Sequence, residues 1–299
     1  MTNTNYEKFN KLNVEFFERE KISLQDPLGL NIASDVSWIK PNEDWNSAQF
    51  PVVIGGKGSP IILLHGFDSS FLEFRRIYPS LKENFQVIVP DLLGFGFTPR
   101  YAVKQYSPSK IISHLVDIIK TLKINKKIKI LGASMGGSVA IQLANEIPDC
   151  IDKIMLLSPA GLFGEPKNIP FPLNHIGALF LGLPKVRKSI CRQAFAFPDR
   201  DVGPREEQIA SIHIGSIGWR HSLASFAKSG GFAGTFKYVQ NLPIKTVCGE
   251  NDRILGKKEI NKIKKIEELN CVGLQNCGHL PHIDLPSLSC KIIKDYFCS

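Results

Sequence analysis

No apolar run in this 299-residue chain is long enough to cross a bilayer. The longest, IGALFLGLP at 176–184, falls well short of the roughly twenty residues a spanning helix needs. The seven cysteines (150, 191, 248, 271, 277, 290, 298) are odd in number and form no CxxC pair, which argues against a disulfide framework or a zinc ribbon. Several sit inside apolar segments, where a free thiol acts as a small hydrophobe, so a reducing, cytoplasmic compartment is expected. There is no HExxH and no Cys/His cluster, so no metal is expected. The GFG at 94–96 lacks the third glycine and the strand–helix placement of a dinucleotide site, so no nicotinamide or flavin cofactor is expected either. The first twenty residues, MTNTNYEKFNKLNVEFFERE, carry charge throughout and no apolar core, so no secretory signal is expected. Internal repeats and low-complexity tracts are also missing.

What remains is the composition of an ordinary globular protein, 43% apolar and 22% charged. The net charge of +9 is concentrated in KINKK (123–127), KVRK (185–188) and KKEINKIKK (257–265). Such runs are read first as solvated helix faces and ends. The sharper alternative is attraction to an anionic membrane surface, because no recognition motif accompanies the charge to suggest nucleic acid.

From residue 59 short apolar runs alternate with helical periodicity. SPIILLHG (59–66), FQVIVPDLLG (85–94), KIKILGAS (127–134), DKIMLLSPA (152–160), IKTVCGEND (244–252) and CVGLQNCGH (271–279) read as strands or their exits. Between them lie a helix around FLEFRRIYPSL (71–81) and one capped by Ser107 with Pro108 behind it. In the second, Ile111, Ile112, Leu115, Ile118, Ile119 and Leu122 share a face, and His114 is assigned to the polar side. Val139 to Ile147, Ile260 to Leu269 and Leu288 to Tyr296 supply further helical stripes. Continuous apolar strands separated by helices mean a mostly parallel, doubly wound sheet covered on both faces, an α/β fold. Residues 161–240 break the rhythm with Pro/Gly-rich, aromatic text too long for one structureless loop. They are read as a mainly helical cap inserted into a core of 1–160 and 241–299. Residues 1–58 are least readable, with WIKPNEDW and FPVVIGGKG as candidates for early strands and a hairpin.

The stretch LGASMGGS (131–138) leaves a strand through a serine flanked at two places by glycine. A strand turning abruptly into a helix crowds the residues beside the turn, and Gly132 and Gly136 relieve that crowding around Ser134. The hydroxyl would project beyond the strand's carboxyl end, with the Met135 amide at a helix N-terminus free to bind a developing oxyanion. A serine needs a base. Of the seven histidines, His279 in NCGHLPHID follows a strand near the C-terminus and is the candidate. His65 is assigned to its own loop, His175, His213 and His221 to structural or surface roles, and His282 to support of His279. Asp252 in GENDRILG, again at a strand's carboxyl end, is the candidate to orient His279, with Glu250 its local rival. HGFDSS (65–70) offers the Phe67 amide as second oxyanion donor, and Asp91 is read as tying down a loop.

HGF, DLLGFG, GASMGG, GEND and GHLPH together resemble the α/β-hydrolase superfamily over residues 58 to 298. Within it, LHGFDSSFLEFR (64–75), DLLGFGFT (91–98), KSGGFAG (228–234) and NCGHLPHIDLP (276–286) are similar to the chlorophyll dephytylase-like serine hydrolases of plants and cyanobacteria. The elbow departs from that pattern, reading GASMGG where a proline–serine–leucine version is expected. The resemblance places the catalytic serine, aspartate and histidine on Ser134, Asp252 and His279. It implies hydrolysis of a carboxylic ester with a long apolar group, the phytyl ester of chlorophyll included, and a small hydrophobic substrate as partner. No plastid transit segment is expected, which fits a bacterial source, cyanobacteria included. The apolar insertion beside PKVRK suggests either docking at a membrane interface or packing of the cap on the sheet. A generalist esterase or lipase, and a non-catalytic ligand-binding protein of the same fold, are the alternatives.

Overall fold

A computed structural model describes residues 3–42, 45–238 and 242–299. Among these residues eight strands form one sheet: β1 (Val36–Ile39), β2 (Phe50–Gly55), β3 (Ser59–Leu64), β4 (Phe85–Pro90), β5 (Ile128–Ala133), β6 (Ile151–Leu157), β7 (Ile244–Gly249) and β8 (Cys271–Leu274). Their order is β1-β2-β4-β3-β5-β6-β7-β8. Only β1 with β2 and β2 with β4 pair antiparallel. From β4 to β8 every pair is parallel, as strands buried on both faces require.

Two apolar layers cover the sheet. One face packs α4 (Pro108–Thr121), α5 (Met135–Glu146) and α11 (Gly256–Lys264) through residues such as Ile111, Val139 and Ile263. The other receives α1 (Asn3–Ser23), α2 (Pro27–Ser34), α3 (Tyr78–Leu81) and α13 (Pro286–Cys298), with Phe17, Ile32, Tyr78 and Ile293 in the interior. Ser107 caps α4 as its sequence predicts, its hydroxyl accepting from the Lys110 amide. Between β6 and β7 run α6 (Leu173–Leu181), α7 (Pro184–Gln193), α8 (Pro198–Asp201), α9 (Pro204–Ile209) and α10 (Trp219–Lys228). The expected boundary of this insertion at 240/241 lies outside the described residues. α12 (Pro281–Asp284) precedes the last helix.

Several expectations need correcting. The single helix over 71–81 is split into a 3-10 turn, Phe71–Phe74, and α3, because Pro79 has no amide to continue a ladder and starts a new helix instead. The candidate early hairpin is two antiparallel strands, but residues 40–49 separate them, too many for a tight turn. His114 is not on a polar face. It is fully buried, with its ring 4.1 Å from that of Phe50 and 5.2 Å from that of Trp45, because it stands three residues from Ile111 and four from Ile118 on the same inward stripe. Leu288, assigned to the inward stripe of the last helix, is 43% exposed, and Cys290, Ile293 and Phe297 face the core instead.

Candidate active site

Ser134 lies between β5 and α5 at φ 52°, ψ −121°, a conformation that L-residues adopt only under constraint. Its amide donates to Leu157 O (2.9 Å), and its carbonyl accepts from Gly137 N (2.9 Å) and Ala160 N (3.0 Å), so the turn is pinned from two sides. The flanking glycines are obligatory on contact grounds. A Cβ on Gly132 would stand 2.2 Å from Gly136 O, and one on Gly136 would stand 2.0 Å from Leu64 O.

The turn aims the Ser134 hydroxyl at His279, whose Nε2 is 2.8 Å from Oγ. On the far side of the ring, Nδ1 is 2.8 Å from Asp252 Oδ2. A carboxylate can only accept, so Nδ1 carries the proton and Nε2 is left to accept from the serine. Asp252 is held in turn by the amides of Ile254 (2.8 Å) and Leu255 (2.9 Å) on its other oxygen. Burial raises its pKa, but His279 and these two amides outweigh it and hold the carboxyl below its usual value. The backbone of His279 is anchored to the insertion, its amide donating to Ala194 O at 2.8 Å. Ser134, Asp252 and His279 are thus brought together from three strand ends.

The other assigned residues fall into place around them. Met135 opens α5, where an amide has no partner within its own helix. Among the described residues the Phe67 amide has no hydrogen-bond partner either, and both Phe67 and Ser134 line one cavity. Glu250, the rival to Asp252, pairs with Lys264 instead. His282 does not support His279; its ring stacks on Phe74 (5.0 Å) and its Nε2 is 3.4 Å from Glu73. His65 holds its own loop, accepting from the Leu92 amide at 3.0 Å. Asp91 ties down two segments through the amides of Phe71 (2.6 Å) and Phe97 (2.7 Å). His175 and His221 are exposed, whereas His213 is buried and faces Asp68.

A family profile described as alpha/beta hydrolase fold matches residues 59–186. An Arabidopsis thaliana relative, the alpha/beta hydrolase domain-containing protein VTE7, is 29% identical over 247 residues, covering 80% of this chain and 74% of the relative. The 2-hydroxy-6-oxo-6-(2'-aminophenyl)hexa-2,4-dienoic acid hydrolase of Metapseudomonas resinovorans is 25% identical, covering 77% and 81%. Among solved structures, a putative lipase from Acinetobacter baumannii superposes with a TM-score of 0.72 at 19% identity, over 92% of this chain and 97% of that one. The chain has the α/β-hydrolase fold.

Within this fold a cavity of about 240 Å³ opens above Ser134. Its walls are largely apolar, with Leu181, Ile190, Phe195 and Ala210 from the insertion and Leu280 and Ile283 from the core. The two cations that line it are each held by an acid. Arg187 pairs with Asp68, and Arg75 pairs with Asp26 at 2.6 Å. Asp68 also accepts from the Trp219 indole (2.8 Å) and faces His213 Nε2 at 3.2 Å. Burial raises the Asp68 pKa, but His213, Arg187 and Trp219 bring it below the usual carboxylate value. Glu73, also buried, accepts from the Gly66 amide at 3.2 Å. Sequence reasoning missed Asp68 and Glu73. Both lie in the quoted stretch HGFDSSFLE, but an acid in a polar-looking loop carries no sign of its burial. Among the described residues no group of three His, Cys, Asp or Glu side chains could hold a metal ion. No helix there is long and apolar enough to cross a membrane.

Proposed function

We propose that this α/β hydrolase is a serine hydrolase cleaving a carboxylic ester that bears a long apolar group. The observation that carries the reading is the unbroken Asp252–His279–Ser134 relay, with both contacts at 2.8 Å, at the floor of an apolar cavity. His279 takes the Ser134 proton as Oγ attacks the ester carbonyl. The amides of Phe67 and Met135 receive the oxyanion, each such donor being worth ~3 kcal/mol of barrier. His279 then protonates the departing alcohol, and water, activated by the same imidazole, releases the acid from Ser134.

The paired charges around the cavity support a neutral, apolar substrate over a free dienoic acid of the kind named for the Metapseudomonas relative. A carboxylate entering here would have to compete with Asp68 for Arg187. Within the ester class, the resemblance to chlorophyll dephytylase-like hydrolases makes the phytyl ester of chlorophyll the specific candidate. The volume lies below the roughly 300–1,000 Å³ of pockets that enclose a whole drug-sized ligand, so a bulky headgroup would remain outside while the ester reached Ser134. A generalist carboxylesterase or lipase is the alternative within the same chemistry.

Two measurements test the proposal. A fluorophosphonate probe should label the wild-type protein and not Ser134→Ala; an unlabelled wild type ends the serine-hydrolase reading. Turnover of chlorophyll a compared with short nitrophenyl esters then decides the substrate. Brisk short-chain hydrolysis with no chlorophyllide formed would leave only the generalist esterase.

A further inference from the structure

Helix α6 is built inside out. Its buried positions are Asn174 and Ala178, 4% and 3% exposed, while its long apolar side chains other than Leu181 face outward. Phe171, Leu173, Ile176, Leu179, Phe180 and Leu183 are each between 47% and 74% exposed. A surface helix normally turns its apolar stripe to the core. The inversion is fixed by specific contacts: the Asn174 amide donates to Ala224 O (3.0 Å) on α10, and Ile169 N donates to Ala227 O (3.1 Å) just before the helix. A contiguous exposed apolar surface rimmed by polar groups marks an interaction site.

The charge around it says what it meets. From Pro166 to Gln193 there is no acidic residue and there are five basic ones. Arg187 turns inward to Asp68, Lys188 pairs with Glu207 and Arg192 with Asp199. Lys167 and Lys185 stay exposed at the two ends of the patch, without an acidic partner among the described residues. The neighbouring α10 adds Arg220 and Lys228, likewise exposed and unpaired there. Arg220 follows Trp219, whose ring crowds Gly182, and Lys228 follows Ala227, which holds Ile169. The unpaired charge around the apolar surface is therefore mostly cationic, with the exposed Glu165 beside Lys167 in sequence. In a symmetric dimer through this face, each copy would bring the same excess of cations to the other.

We infer that this face docks on an anionic lipid bilayer, with the α6 side chains entering the acyl boundary and the flanking lysines and arginine held by headgroup charge. Cationic side chains at such a surface each strengthen binding about fivefold, and the effect fades with salt. Leu181 of α6 and Ile190 of α7 also line the cavity above Ser134, so the docked molecule would take an apolar ester directly from the membrane. That last step rests on the proposed function; the docking does not.

Flotation with phosphatidylcholine vesicles containing about 30% phosphatidylglycerol tests it. Wild type should float with these vesicles and at least about tenfold less with pure phosphatidylcholine, and high salt should release it. Ile176→Ser/Leu179→Ser/Phe180→Ser should lose binding about tenfold or more. Its melting and its hydrolysis of a short soluble ester should not change, while hydrolysis of a vesicle-embedded ester falls. Lys167→Gln/Lys185→Gln should weaken binding to the anionic vesicles alone. Docking is overturned if wild type does not float, if the triple variant floats equally well, or if wild type is a dimer that the triple variant dissolves. Flotation without any hydrolysis would keep the docking and remove the enzymatic reading; hydrolysis of soluble ester without flotation would do the reverse.

Discussion

The Trp219 indole reaches across 151 residues of chain to donate to Asp68. With Arg187 and His213 it completes a set of Asp68 side-chain partners drawn entirely from the helices between β6 and β7. Asp68 follows Phe67 directly and sits at φ 48°, a left-handed conformation that needs outside support. The insertion therefore clamps the loop that presents the Phe67 amide to the cavity. Asp68→Asn should slow acylation by a fluorophosphonate on the order of 10²-fold, with little change in KM. It should also lower stability, since it leaves the Arg187 guanidinium buried without its counter-charge, a loss of roughly 3–5 kcal/mol. Adding Arg187→Met should recover melting temperature but not acylation rate. Recovery of both would mean that the contact only stabilises the fold.

Asp252→Asn presents an amide NH₂ to the His279 ring and disfavours the tautomer that leaves Nε2 free to accept. The expected loss in kcat is on the order of 10⁴-fold, read with any ester the wild type turns over. The same substitution has a stability signature whose sign follows from the lowered Asp252 pKa. A depressed carboxyl stabilises the fold above its unfolded value of about 3.9, and that contribution is lost as pH falls through the lower folded value. In urea titrations, variant and wild type should differ steadily from pH 8 to 5 and converge only below about pH 4.

The relay was legible in the sequence because each member stands within five residues of a strand's end, and runs rich in β-branched residues such as KIKI and IKTV mark the sheet. The turn at Ser134 announced itself through Gly132 and Gly136, whose side-chain space is filled by backbone carbonyls. What escaped was everything decided by packing across distant segments. His114 looks polar by residue type, yet the stripe it shares with Ile111 and Ile118 buries it against Phe50 and Trp45. The outward face of α6 could not be read either, because IGALFLGL fits a packed helix as well as an exposed one. The bonds of Asn174 to Ala224 and of Ile169 to Ala227 fix which side faces in.

Acid should destabilise this protein well above the carboxylate range. Burial pushes the His114 imidazole down to about 3 and His65 down to about 4, so both are neutral in the fold at any ordinary pH. The unfolded chain takes up those protons below about 6.5, so stability is full above that value and is lost as pH falls toward the folded values. For His114 alone the loss by pH 5 is about 2 kcal/mol. Neither of its ring nitrogens has a hydrogen-bond partner among the described residues. His114→Phe thus sacrifices no bond and should flatten the acid limb. Melting temperatures at pH 7.5 and 5 check this, and an unchanged pH dependence in the variant would show that His114 is not buried neutral.

Gly136→Ala is the smallest change that tests the turn itself. The added methyl would lie 2.0 Å from Leu64 O and 2.8 Å from His65 O, both backbone atoms of the neighbouring strand end, with no flexible side chain to yield. Relief requires α5 to move away from β3. That displacement would carry the Met135 amide and the Ser134 hydroxyl off the line to His279, where a shift of about 1 Å can cost on the order of 10²-fold in rate. The variant should be recovered poorly, and its folded fraction should react with fluorophosphonate at least that much more slowly. Gly177→Ala is the control. That glycine, on the outward side of α6, has nothing within 4 Å of a built Cβ, so the same substitution there should leave both yield and labelling unchanged.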